Sequence, residues 1–215
     1  MFLQSLLIGI LYFFCRWNPF YTSWLEASCT PMFLSVIIGF IMGDVTSAVI
    51  VGAYVQTVYL GLITGLGGVA TVDKSLGSCI IIPLAVASGM SPELAVSMAI
   101  PFGLLGTLTI NLSKVFSSFA ASRCDKAAEE GNAAKFRRIH LGYAAGFWSI
   151  FGIIPVTLIN YFGPSAVTSV VNAIPERLVT GLTVAGGLMP ALGFAMTVRV
   201  IGKIIFHSSS WDSFW

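Results

Sequence analysis

The chain has 215 residues, of which 56% are hydrophobic and only 9% are charged, and its mean hydropathy is +0.90. Soluble domains carry roughly 25% charged residues, so a soluble fold of this composition would expose apolar patches larger than monomers tolerate. The apolar content also excludes a disordered chain. Eleven Lys and Arg against nine Asp and Glu supply no basic stripe, which excludes nucleic-acid binding. The composition predicts an integral membrane protein.

The first 62 residues divide into three apolar segments. The run from Phe2 to Phe14 has no basic residue before it, and it predicts the first helix of the membrane domain rather than a signal peptide. The run from Pro31 to Leu62 is too long for one spanning helix of about 20 residues. We expect a helix near 31–43, a turn at Gly43-Asp44 and a second helix near 46–62.

The next segments are interrupted by glycine and by polar residues. Residues 61–75 (GLITGLGGVATVDKS) are too rich in Gly and polar groups for a plain spanning helix. Residues 78–88 form a short apolar segment. Ser91 has the character of an N-cap and Pro92 that of the first helical residue, so they predict the start of a helix that runs to about Ala121.

The second half of the chain repeats this organisation. Residues 141–162 are long enough to span a membrane, 164–173 form a shorter segment, and 178–206 are again interrupted. Gly-rich breaks therefore occur in both halves, at 65–68 and at 186–190. Paired breaks of this kind favour a transporter with a site near the membrane midplane over a pure scaffold protein. The predicted fold is an all-α, polytopic membrane helical bundle with interrupted or re-entrant helices, in one domain over 1–215.

The charges are concentrated in one segment, from Arg123 to Arg138, which contains five basic and three acidic residues. The positive-inside rule places the segment 123–140 in the cytoplasm. Two interpretations stay open: an ordinary solvated loop or helix extension, and a docking surface for a soluble partner.

Polar residues at membrane depth are costly and point to function. Asp73 follows the first Gly-rich break, and its carboxylate is suited to accept hydrogen bonds from sugar hydroxyls; the alternative is neutralisation by Lys74 or by a helix end. The amide of Gln56 both donates and accepts, which also suits a hydroxyl ligand, and its alternative is a helix–helix hydrogen bond. Asp44 is more typical of a helix cap or turn. Trp148 is typical either of a membrane interface or of stacking on a sugar ring.

No residue pattern indicates a metal site or a catalytic centre. The four cysteines are scattered without a C-x-x-C pair, which favours packing residues over zinc or redox ligands (Cys15, Cys29, Cys79 and Cys124). Neither His140 nor His207 stands in a setting that suggests a triad. We therefore expect no cofactor, no metal and no catalytic residue.

Three stretches, in order along the chain, carry a family resemblance. They are 43–106, which begins GDVTSAVIVGAYVQ, then CDKAAEEGNAAKFRRIH (124–140) and NAIPERLVTGLTVAGGLMPALGFAM (172–196). Together they resemble the IIC membrane permease subunit of the mannose/sorbose family of bacterial sugar phosphotransferase systems. The resemblance is closest to the sorbose and N-acetylgalactosamine-like branch, which favours Gln over Glu at the position of Gln56.

The resemblance implies a mechanism in which this chain is a transport subunit and not an enzyme by itself. It implies that a hexose or amino sugar crosses the bacterial cytoplasmic membrane and is phosphorylated on the cytoplasmic side by a phosphohistidine of the IIB subunit, which IIA charges. It also implies a IID membrane partner, a trimer of IIC–IID pairs, and no phosphorylated residue on this chain. By position, Gln56 and Asp73 match the family's sugar-binding residues, and we expect support from the backbone of Gly67 and Gly68.

Two departures from the family pattern lead to further expectations. The family commonly has Pro or Ala-Pro before the Asp, where this chain reads Ala-Thr-Val. Family members also continue past the position of Phe206, whereas this chain ends in an atypical tail over 207–215. The shorter C-terminus indicates either a frameshifted or truncated gene or a natural fragment, and we expect the missing end to weaken folding or assembly. A shorter C-terminus also makes a non-transporting assembly or receptor subunit the first alternative to a permease. The second alternative is an ion-coupled secondary transporter.

Overall fold

The computed structural model describes residues 2–17, 29–61 and 72–173, and six isolated positions after them (Thr180, Val184, Leu188, Ala191, Ala195 and Val198). Its regular secondary structure within these residues is helical, which confirms the predicted all-α class. The helices are α1 (Phe2–Arg16), α2 (Pro31–Met42), α3 (Val45–Gly61), α4 (Lys74–Ser88), α5 (Pro92–Glu129), α6 (Ala133–Trp148) and α7 (Ile154–Ala173), and a π-helical turn over Ser149–Ile153 joins α6 to α7.

Two helical stretches among the described residues are long and apolar enough to cross a membrane. They are α5, with 38 residues, and the continuous stretch Ala133–Ser165, with 33 residues. Helices α1 to α4 are apolar but shorter. The Gly-rich residues 65–68 and, apart from Leu188, the predicted break at 186–190 lie outside the described residues.

The predicted turn between α2 and α3 is confirmed. Gly43 ends α2 in the left-handed conformation with φ 83°, where glycine carries no Cβ penalty, and its N–H donates to the carbonyl of Gly39 at 2.8 Å. Asp44 then caps α3, because its carboxylate accepts a hydrogen bond from the Ser47 N–H at 3.0 Å. The hydrogen bonds from Ser47 lower the pKa of Asp44. The interpretation of Asp44 as a helix cap is therefore confirmed.

Helix α4 occupies the centre of the bundle. Every residue from Ser75 to Ala85 is buried, and α4 packs against α1, α2, α3, α5 and α7. A helix that is apolar all round is stable only inside a protein or a membrane, which explains the sequence of this segment. The predicted apolar segment 78–88 is present, and its helix begins four residues earlier, at Lys74.

Pro83 lies inside α4 and leaves a backbone group that α7 satisfies. Proline has no N–H, so the carbonyl of Cys79, one turn earlier, loses its intrahelical donor. The side-chain Nδ2 of Asn160 on α7 donates to this carbonyl at 2.9 Å, and both side chains are buried. Gly163 lies one turn further along α7, where a methyl group would overlap the side chain of Leu84. These contacts fix α7 on α4.

Two predicted helix boundaries are wrong. Helix α5 begins as expected, with the Ser91 hydroxyl accepting from the Leu94 N–H at 3.4 Å, but it ends at Glu129 instead of near Ala121. The stretch after Ala121 contains good helix formers, so the helix continues into the charged segment. The predicted separate segment 164–173 is instead the second half of α7. Pro164 does not end the helix because neighbouring helices and side chains can satisfy the groups that a proline frees.

The charged segment forms the tip of the hairpin between α5 and α6. Gly131 turns the chain with φ 66°, and Asn132 caps α6 by accepting from the Lys135 N–H at 2.9 Å. Lys135 and Glu130 form an exposed ion pair at 2.7 Å. The interpretation as a helix extension is confirmed, and the docking surface stays a prediction.

We predict that Asn160→Leu lowers the free energy of unfolding by about 1–3 kcal/mol, because it leaves the buried Cys79 carbonyl without a donor. In a Pro83→Ala background the helix supplies its own N–H, so the same substitution should cost far less. Thermal unfolding in detergent measures both values. Asn111→Leu, at an exposed position of α5, is the matched control. An equal cost of Asn160→Leu in the two backgrounds would contradict this interpretation.

Candidate functional site

Asp73 is buried and caps the central helix. One carboxylate oxygen, Oδ1, accepts hydrogen bonds from the N–H groups of Ser75 and Leu76, both at 3.0 Å. These are donors that the first turn of a helix leaves without intrahelical partners. The positive end of the helix dipole also favours a negative charge at this position. The helix-end alternative for Asp73 is therefore present in the structure.

The other carboxylate oxygen of Asp73 binds two side chains of α1. Its Oδ2 accepts from the Tyr12 hydroxyl at 2.9 Å and from Arg16 Nε at 3.0 Å, and a terminal nitrogen of the Arg16 guanidinium completes the ion pair. Asp73 is 1% exposed and the Arg16 side chain 24%. The sequence predicted Lys74 as an alternative neutralising cation for Asp73. In the structure Arg16, from a separate helix, neutralises Asp73 through two guanidinium nitrogens that both contact Oδ2.

Aromatic side chains enclose this ion pair. The Arg16 guanidinium lies 5.6 Å from the centroid of the Trp148 ring, a cation–π distance. Tyr12 is fully buried and meets Trp148 edge to face at 6.3 Å. Gly152, in the π-helical turn, lies beside the Tyr12 ring. Trp148 is therefore part of the site's wall, and its ring contacts both Tyr12 and Arg16. We call Tyr12, Arg16, Asp73 and Trp148 the Asp73 cluster.

Helix α5 approaches the Asp73 cluster closely because it presents glycines there. The Asp73 N–H donates to the carbonyl of Gly103 at 3.0 Å. One turn later, a methyl group at Gly106 would overlap the Asp73 side chain. Nearby, the hydroxyl of the buried Tyr59 donates to the carbonyl of Ala99 at 2.6 Å, which ties α3 to α5. The backbone around Asp73 is therefore held from α5 as well as from α1.

Gln56 lies on α3 and is half-buried. Its Oε1 accepts a hydrogen bond from the Met32 N–H, in the first turn of α2, at 3.3 Å, which is the helix–helix hydrogen bond that the sequence left as an alternative. Its Nε2 donates to no group among the described residues. Gln56 and Asp73 stand on opposite sides, in the chain, of the Gly-rich segment that contains Gly67 and Gly68. Those two glycines lie outside the described residues.

The cysteines and the one described histidine serve packing and surface roles. The four cysteines, all of them within the described ranges, form no disulfide, and Cys29, Cys79 and Cys124 are buried. His140 is exposed and stacks on Phe136 at 6.3 Å. Within the described residues, no group of three or more His, Cys, Asp and Glu side chains is arranged to hold a metal ion.

Sequence reasoning missed the two α1 members of the cluster, Tyr12 and Arg16. One signal was available: Arg16 is the only basic residue among the first 73. Arg16 is therefore the one basic residue before Asp73 in the chain that could serve as its counter-ion. Tyr12, four residues before Arg16, lies on the same helix face, so it reaches the same carboxylate.

Comparison with known proteins places the whole described bundle in one family. A family model described as the sorbose-specific IIC component of the PTS system matches residues 2–207. The N-acetylgalactosamine permease IIC component 1 of Escherichia coli K12 is 30% identical over 182 residues, which are 84% of this chain and 67% of that protein. The sorbose-specific EIIC component of Klebsiella pneumoniae is 30% identical over 175 residues, 80% of this chain and 64% of that protein. The matched part is thus about two thirds of these relatives.

Solved structures share the fold. One, titled as the structure of a membrane protein, superimposes with a TM-score of 0.78 at 24% identity and covers 99% of this chain and 87% of that one. A second, the mannose transporter ManYZ in complex with microcin E492, gives a TM-score of 0.68 at 23% identity and covers 100% and 88%. At these identities the likeness establishes the helical membrane fold.

We predict strong energetic coupling between Arg16 and Asp73. Arg16→Gln and Asp73→Asn should each lower the free energy of unfolding by about 3–5 kcal/mol, because each leaves a buried charge without its partner. The double variant should lose clearly less than the sum, with a coupling of about 1–3 kcal/mol. The exposed pair Glu130→Gln and Lys135→Gln is the control and should couple by less than about 1 kcal/mol. Additive losses at Arg16 and Asp73 would refute the assignment.

Proposed function

The chain belongs to the family of sorbose-specific IIC components of the phosphotransferase system, and from this membership we propose that it is a sugar permease subunit. It binds a hexose or amino sugar and moves it inward, and the IIB partner phosphorylates the sugar at the cytoplasmic face. The family match over residues 2–207 is the observation that carries this proposal. The phosphate ester is charged and does not recross the membrane, so phosphoryl transfer drives accumulation and no catalytic residue is needed on this chain.

We propose that the sugar contacts Gln56, Asp73 and the backbone of Gly67 and Gly68. The contacts of Gln56 support this proposal, because its Nε2 has no partner among the described residues and can donate to a sugar hydroxyl. Both oxygens of Asp73 already accept hydrogen bonds. A sugar hydroxyl reaches this carboxylate by taking the place of the Tyr12 hydroxyl. The fully buried Tyr12 hydroxyl then donates to an oxygen of the sugar, because a buried donor left without a partner is costly.

The partners follow from the family. We propose a IID membrane subunit as the direct partner, a trimer of such pairs, and soluble IIB and IIA subunits that carry the phosphoryl group from phosphoenolpyruvate. The solved mannose transporter ManYZ, which shares the fold of this chain, supports a direct partner that is itself a membrane protein. The site itself holds no cofactor in this proposal.

We propose the bacterial cytoplasmic membrane as the location, with the segment 123–140 on the cytoplasmic side. The support is the excess of positive charge at the α5–α6 tip, five basic against three acidic residues between Arg123 and Arg138. These residues extend beyond the apolar part of α5 and are exposed, apart from Cys124 and Ala127.

We predict that Gln56→Ala lowers the uptake of labelled sugar about tenfold in cells that make this chain with IID, IIB and IIA subunits, because the sugar loses a hydrogen-bonding amide. Gln4→Ala is the matched control, since Gln4 also makes a helix–helix hydrogen bond, from its Nε2 to the Ile41 carbonyl at 3.1 Å. Uptake is normalised to the amount of chain in the membrane. Equal losses in the two variants would overturn the sugar contact.

The same assay separates the proposed function from its alternatives. A phosphotransferase permease accumulates sugar phosphate only while phosphoenolpyruvate is available. Uptake that persists without phosphoenolpyruvate and collapses with the ion gradient would instead indicate a secondary transporter. Sugar binding without uptake, in cells with all partner subunits, would indicate a receptor or assembly subunit.

A further inference from the structure

A cavity of about 560 Å³ lies between α5 and α6, next to their charged tip. This volume is within the range of roughly 300–1,000 Å³ that is typical of small-molecule sites. Two arginines, one tyrosine and three large apolar side chains form most of its lining (Arg123, Arg138, Tyr143, Phe116, Phe119 and Ile139). None of these residues belongs to the Asp73 cluster or to the proposed sugar contacts.

The Ser122 hydroxyl in the lining donates to the Phe119 carbonyl, whereas the other polar side chains of this cavity have no partners within the described part of the chain. Arg123 and Arg138 are exposed and form no ion pair or hydrogen bond there. The hydroxyl of Tyr143 is buried and also lacks a hydrogen-bond partner among the described residues. Two guanidinium groups and a hydroxyl donor on one cavity favour an anion with several oxygens, because the arginine fork matches phosphate geometry.

The apolar surface next to the cavity indicates which kind of anion fits. Leu105, Leu112, Phe116 and Phe119 are exposed large apolar residues of α5. At 100° per residue they lie within about 40° of Arg123 around the helix axis, so they form one stripe that leads to this arginine. From Leu112 to Arg123 the stripe is about 17 Å long, close to half of the roughly 30 Å hydrocarbon core.

A layer of aromatic side chains packs beside the end of this stripe that is nearest to Arg123. Phe116 lies 5.8 Å from Phe147 and 6.4 Å from Phe151, and Tyr143 stacks on Phe147 at 6.5 Å. A soluble anion gains nothing from an apolar stripe of this length. A phospholipid gains binding energy from both the arginines and the stripe, because its phosphate binds the arginines while its acyl chain covers the stripe.

We propose that the cavity binds an anionic phospholipid, with the phosphate at Arg123 and Arg138 and one acyl chain along the α5 stripe. The Tyr143 hydroxyl donates to a phosphate oxygen. This assignment rests on the membrane placement of the chain proposed above, and it does not require that the chain transports sugar.

The test counts bound lipid on the full chain purified in detergent together with its IID partner. The complex is titrated with phosphatidylglycerol, or with phosphatidylcholine of the same acyl chains, and native mass spectrometry reports occupancy. We expect Arg123→Gln/Arg138→Gln to weaken phosphatidylglycerol binding at least tenfold and to remove the preference over phosphatidylcholine. Tyr143→Phe should weaken it severalfold without loss of thermal stability, because this hydroxyl has no partner in the described fold.

The matched control is Lys126→Gln/Arg137→Gln, which removes two charges from the same tip at positions outside the cavity lining. It should keep the lipid preference. An equal loss in this control would reduce the effect to net charge and overturn the site. Displacement of the lipid by millimolar inorganic phosphate would also overturn the site, because it indicates a site for a soluble anion. Absence of bound lipid at this cavity in the complex with IID would overturn it as well, because it indicates a protein contact. Sugar uptake by the double arginine variant is measured separately, so a failed permease and a failed lipid site remain distinguishable.

Discussion

The buried carboxylate of Asp73 ties α1 to the start of the central helix α4. Asp73 caps the central helix through the amides of Ser75 and Leu76, pairs with Arg16 on α1, and follows directly the Gly-rich segment of the chain. An unpaired carboxylate in this apolar interior would be prohibitively costly, so every part of this arrangement depends on the arrival of Arg16. The cluster therefore couples the position of α1 to the start of α4, where Asp73, one of the proposed sugar contacts, lies.

The rest of the interior follows the same rule, that polar backbone groups away from water need partners within the protein. The Pro83 break in α4 is satisfied by Asn160, and the N–H of Asp73 by the Gly103 carbonyl. At these two irregular positions a specific hydrogen bond therefore replaces the one that a regular helix would make. Glycine is used where elements approach closely: a methyl group at Gly106 would overlap the Asp73 side chain, and one at Gly163 would displace the end of the Leu84 side chain.

Local patterns in the sequence predicted local features well. The composition predicted an integral membrane protein. The Gly43-Asp44 pair predicted the α2–α3 turn and Ser91-Pro92 the start of α5, because each of these two features depends on a few adjacent residues. The end of α5 and the continuity of α7 through Pro164 were missed, since neighbouring helices and the solvent decide whether such helices stop. The partner of Asp73 was missed for a related reason. A contact between residues 57 positions apart depends on helix packing, which spacing along the chain does not encode.

Amide hydrogen exchange at the start of α4 tests the role of Arg16 most directly. If the ion pair holds the capping carboxylate in place, Arg16→Gln should accelerate exchange of the Ser75 and Leu76 amides, which donate to Asp73. The Ser47 amide is the internal reference, because it donates to the exposed carboxylate of Asp44 and has no link to Arg16. We expect faster exchange at Ser75 and Leu76 with Ser47 unchanged. Unchanged exchange at the start of α4, or an equal increase at Ser47, would contradict the central role of the Arg16–Asp73 pair.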